Sequence, residues 1–137
     1  MALLAAETAR TMGVEWEVHG IDAAAIDPSG VTSSRYREAL AGVSFRPRTT
    51  MTSTLFSDGY FDLVVGQFAL EYADPPSVLA EMRRVLKSGG RAAGRTVYLA
   101  DGRMQIIEIR GLESGTDIQA SIREYRDGSL LREEVSA

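Results

Sequence analysis

The sequence predicts an α/β fold: a partial, mostly parallel sheet flanked by helices, continued by an antiparallel hairpin tail. Three observations carry this. Residues 61–91, FDLVVGQFALEYADPPSVLAEMRRVLKSGGR, read as a strand, a short polar turn, a capped amphipathic helix and a Gly-Gly stop, the order a crossover between parallel strands requires. Residues 14–22, VEWEVHGID, read as an earlier strand behind an Ala-rich helix. Beyond Arg91, strand-like segments flank two Asp-Gly turns, the signal of hairpins.

The elements follow in order. Residues 2–12 place Leu4, Thr8-Ala9 and Met12 at helical spacing, and Gly13 is a stop. Residues 14–22 alternate as a strand ending at Asp22. Asp27-Pro28-Ser29-Gly30 is a turn, residues 33–41 suit two helical turns, and residues 43–45 suit a short strand. Residues 46–56, with Pro47 and four threonines, read as an irregular connection, and 57–60 as a turn. The apolar run 61–65 suits a strand covered on both faces. Asp74 is placed as N-cap and Pro75 as the first helical residue; Val78, Leu79, Met82, Val85 and Leu86 form one buried stripe. Lys87 suits the negative end of that helix, which Gly89-Gly90 closes. In the tail, segments 95–99 with 104–109 and 122–125 with 130–135 form the hairpins.

The bulk numbers exclude several functions. A chain of 137 residues, 45% hydrophobic and 25% charged, has the makings of a globular protein with its own core. Its net charge of −4 argues against a general nucleic-acid binder. Without cysteine there is no disulfide, thiolate nucleophile or Cys-ligated zinc, and His19 alone cannot make a multi-histidine metal site. No apolar run approaches the roughly 20 residues of a membrane span, and the N-terminus, with Glu7 and no basic region ahead of its apolar residues, is unlike a signal peptide. The expectation is a cytoplasmic protein with no membrane or nucleic-acid partner.

The string SDGYFDLVVGQFALEYADPPSVLAEMRRVLKSGGR, residues 57–91, resembles the middle of class I S-adenosylmethionine-dependent methyltransferases of the small-molecule type. These share a pattern like LPFxDGxFDLVVSxxxLEY followed by a helix ending in RVLKPGGR. Gly20-Ile21-Asp22 matches the end of the family's second strand, so the resemblance covers residues 3–93. It implies a Rossmann-like sheet, S-adenosyl-L-methionine as cofactor, and methyl transfer to a small-molecule acceptor. The family's first strand and Gly-rich loop have no counterpart, so the chain reads as one truncated ahead of residue 1. The domain is read as an incomplete core, 1–93, with an extension, 94–137.

The resemblance carries functional residues over one by one. Asp22, with Ala23 beside it, stands where the family places an acid that accepts from both ribose hydroxyls. On residue type alone Asp22 is equally a helix cap or a solvated loop acid. Thr50-Met51 falls where the family keeps an Asp and an apolar residue for the adenine; threonine offers a weaker acceptor, and a plain loop is the other reading. Gly66, Gln67 and Phe68 would run beside the methionine portion, their carbonyls receiving the ammonium group. Gln67, Glu71 and Tyr72 would face the acceptor, where Glu71 would be a base; no residue follows as catalytic from the resemblance. Core packing is the alternative for Phe68, Leu70 and Tyr72. His19 is read as a packed strand residue and Asp62 as a structural residue at a strand start.

Two other readings compete. One is a non-catalytic, methyltransferase-like binding or interaction module, which would oligomerise with itself or another chain through an exposed sheet edge. The other is a nicotinamide-type domain in which Asp22 also meets a ribose; the spacing from FDLVV to RVLKSGG disfavours it.

Overall fold

The computed structural model describes residues 1–30, 34–67, 69, 72–100, 103–111, 118–126 and 129–136. The chain divides into two compact units, Met1–Leu55 and Phe56–Ala137.

The first unit is a β/α crossover preceded by a helix. Helix α1, Ala2–Met12, ends where Gly13 turns left-handed at φ 66°. Gly13 N–H then donates to Arg10 O, and Val14 N–H to Ala9 O, satisfying carbonyls the helix end would strand. Strand β1, Val18–Ile21, pairs in parallel with β2, Val43–Arg46, from Val18 opposite Val43 to Ile21 opposite Arg46. Helix α2, Ser34–Ala41, links them after a short 3₁₀ turn at Pro28–Gly30, and both helices pack on the strand pair. The expected strand over 14–22 is shortened at its start. Its ladder partner β2 begins at Val43, opposite Val18, so residues 14–17 have no strand to bond, and Val14 and Trp16 remain exposed. Gly20 is required by packing: a Cβ there would lie 2.8 Å from the Phe45 ring.

In the second unit, β3, Phe61–Gln67, crosses through α3, Pro75–Val85, to the parallel strand β4, Leu86–Ala100. Asp74 caps α3 by accepting from Ser77 N–H at 3.0 Å and from its hydroxyl at 2.6 Å. Val78, Leu79, Met82 and Val85 are buried along one side of the helix, as is Ala92 of β4. Arg84 anchors the turn ahead of β3: it donates to both carboxylate oxygens of Glu81, to Phe56 O at 2.8 Å and to Asp58 at 2.6 Å. Phe56 stacks on Tyr60 around that turn, and Phe61 meets both edge-on, with ring centroids 4.7–5.6 Å apart.

Two expectations about this crossover are corrected. The helix stops at Val85, not at 87, because Leu86 is already extended and pairs with Phe61. Lys87 therefore does not serve the helix dipole; its Nζ pairs with Asp62 at 2.7 Å. Gly89-Gly90 shapes a bulge instead of closing the helix: the register jumps from Phe61–Leu86 to Leu63–Arg91, Gly89 takes φ 81°, and a Cβ on Gly90 would lie 2.9 Å from Lys87 O. Secondly, β3 is not covered on both faces, since Leu63 and Val65 are 51% and 39% exposed. The chain beyond β4 forms strands rather than a second crossover helix, and a strand buried on both faces needs helices on each.

Where hairpins are expected, the tail is a continuous antiparallel meander; the Asp-Gly pairs at 101–102 and 127–128 lie outside the described residues. Strands β5, Arg103–Gly111, β6, Ile118–Arg126, and β7, Ser129–Ser136, follow β4 in order, giving a sheet β3-β4-β5-β6-β7; β1 and β2 form a separate pair. At β7 the register skips Leu131, and Arg132, Glu133 and Glu134 follow it. A bulge and consecutive charges both blunt an edge strand against further pairing.

Candidate functional site

The carboxyl ends of parallel strands are where α/β sheets bind ligands, and each unit has one such end. In the first unit, bonding continues past the strands. Asp22 N–H donates to Arg46 O at 3.3 Å, Thr49 N–H to Asp22 O at 2.9 Å and Arg48 N–H to Ala24 O at 3.0 Å. The loop after β2 is thus laced to the loop after β1. Arg48 holds φ 54°, a left-handed conformation uncommon for a residue with a side chain. Such geometry persists only where neighbouring contacts impose it, and here its own N–H bond does so.

This lacing fixes Asp22. Its Oδ1 accepts from Ala24 N–H at 2.8 Å, while Asp22 and Ala23 are exposed. The other carboxylate oxygen has no partner among the described residues, so a fixed anion stands at the strand end. Thr50 and Met51 follow directly on the laced segment. Thr50 is exposed, its carbonyl accepting from Ser53 N–H at 3.2 Å and its hydroxyl from Thr52 at 3.4 Å; Met51 is half-buried. Four predicted residues, Asp22, Ala23, Thr50 and Met51, therefore lie on two joined loops. His19, one turn of the pleat earlier, is 8% exposed with Nε2 2.8 Å from Glu17 Oε1, the packed strand residue expected.

In the second unit, Gly66 and Gln67 end β3 opposite Gly94 and Arg95 of β4. A Cβ added to Gly66 would meet nothing within 4 Å, so packing does not demand glycine; the residue leaves open space at the tip. Gln67 is exposed. Tyr72 is 81% exposed, its N–H bonded to Ala69 O at 3.1 Å, so it is not a core residue. Phe68, Leu70 and Glu71 lie outside the described residues. Asp62 sits at the opposite end of β3 in its pair with Lys87, which fits a structural role. Asp74, just past this tip, is engaged as a cap: the Ser77 hydroxyl, and after it the Ser77 N–H, hold its carboxyl below the usual carboxylate range.

Sequence reasoning misses two cations at these strand ends, Arg48 and Arg95. Arg95 becomes visible only by counting the parallel register through the bulge; Arg48 carries no sequence signal for a left-handed turn. Among the described residues no group of three or more acidic or histidine side chains could hold a metal ion, and no helix is long and apolar enough to cross a membrane.

The family described as "Methyltransferase domain" matches residues 4–94, more than half of the chain. The chain belongs to that family. Solved structures agree on the fold of this methyltransferase domain. A geranyl diphosphate methyltransferase, solved in complex with GPP and sinefungin, is similar with a TM-score of 0.52 and 24% identity, over 66% of this chain and 33% of that one. A geranyl diphosphate C-methyltransferase from Streptomyces coelicolor A3(2), solved with Mg2+, geranyl-S-thiolodiphosphate and S-adenosyl-L-homocysteine, gives 0.51 and 23%, over 66% and 32%. The chain thus spans about a third of the length of either. No curated protein matches it.

Proposed function

We propose that this methyltransferase domain binds S-adenosyl-L-methionine and serves methyl transfer to a small-molecule acceptor. The observation that carries the reading is the Asp22 carboxylate, exposed at the end of a parallel strand with one oxygen already fixed by Ala24 N–H. A vicinal diol presents two O–H donors, and a fixed carboxylate accepts them in charge-assisted bonds, about twice as strong as neutral ones. Pre-orientation spares the ordering cost on binding.

The other residues fit the rest of the cofactor. Thr50 offers an exposed hydroxyl to the adenine amino group, and Met51 a polarizable side chain to the ring. Gly66 leaves space that a Cβ would fill; the carbonyls of Gly66, Gln67 and Phe68 are assigned to the ammonium of the methionine portion. Ala23 adds backbone beside the ribose. Gln67, Glu71 and Tyr72 are assigned to the acceptor.

When bound, the cofactor supplies a methyl group already activated on a sulfonium. The protein's task is then to align donor and acceptor, which the assigned residues do by positioning. No residue is assigned a proton transfer. The cofactor analogues and the small-molecule substrates in the two solved structures support this reading. We assign it to a core of residues 1–93, with 94–137 as an extension of the same domain.

Isothermal titration of the full chain with S-adenosyl-L-homocysteine tests the proposal, with NAD+ as control. Saturable binding of the homocysteine compound, abolished in Asp22→Ala and absent for NAD+, is the expected result. Binding that survives Asp22→Ala removes the carboxylate from the site; no binding of either ligand overturns the proposal for this chain.

A further inference from the structure

We draw no further inference here: the strongest candidate, the open outer edge of β3 with half-exposed Leu63 and Val65 beside it, carries none, because nothing among the described residues shows what covers it.

Discussion

Gly66 and Gly90 invite the same substitution with opposite consequences. At Gly66 an added methyl meets no atom within 4 Å and φ is not left-handed. Gly66→Ala should therefore leave stability within about 0.5 kcal/mol of wild type, or raise it slightly by restricting the unfolded chain. At Gly90 the methyl would lie 2.9 Å from Lys87 O, 3.0 Å from Leu86 Cδ2 and 3.2 Å from Phe61 O. Two of these are backbone atoms that cannot swing away, so Gly90→Ala should cost about 1–3 kcal/mol, as overpacking does elsewhere. The ligand response separates the sites further. At S-adenosyl-L-homocysteine 100-fold above its dissociation constant, bound ligand stabilises the wild type by about 2.7 kcal/mol. If the Gly66 methyl occupies ligand space and weakens binding tenfold, that falls to about 1.4 kcal/mol. Denaturant titration of the three proteins with and without ligand reads both quantities. Equal ligand stabilisation in wild type and Gly66→Ala would refute the assignment of Gly66, and a neutral Gly90→Ala would refute the packing argument.

Two further predictions concern α3. Asp74 has a lowered pKa through Ser77, so its contribution is complete above the ordinary aspartate value of about 3.9 and is lost as pH falls through the lower folded value. The Tm difference between wild type and Asp74→Ala should accordingly be constant near neutrality and shrink in acid; a difference that grows in acid contradicts the cap. Val78 is fully buried at 0% exposure, so Val78→Ala loses two methyl groups and leaves a cavity. It should cost about 2 kcal/mol by denaturant unfolding, with an unchanged m-value; a change below about 0.5 kcal/mol would mean the helix is not packed as described.

What was legible in the sequence was local chemistry. Gly13 and Asp74-Pro75 each encode their conformation in the residue itself, and each stands where expected. The errors come where a partner decides. Residues 14–17 alternate like a strand but have no ladder opposite them, because β2 starts at Val43. The apolar run of β3 implies two covers, but Leu63 and Val65 are exposed on one face and the other is only half-buried. Gly89-Gly90 looked like a helix stop, and its role in the bulge emerges only from the jump in register against Phe61. Of the candidate site, Asp22 was readable as an acid ending a strand. The backbone bonds that fix it, from Thr49 and to Arg46, join residues more than twenty positions apart and use no side chain. No pattern of residue types records such bonds.

The central proposal is that Asp22 accepts from the ribose hydroxyls of a sulfonium nucleoside. Amide NMR of the full, 15N-labelled chain titrated with S-adenosyl-L-homocysteine tests it most directly, because each residue reports separately. The account predicts saturable shifts of the amides of Ala23 and Ala24. A titration that leaves both unmoved would contradict it.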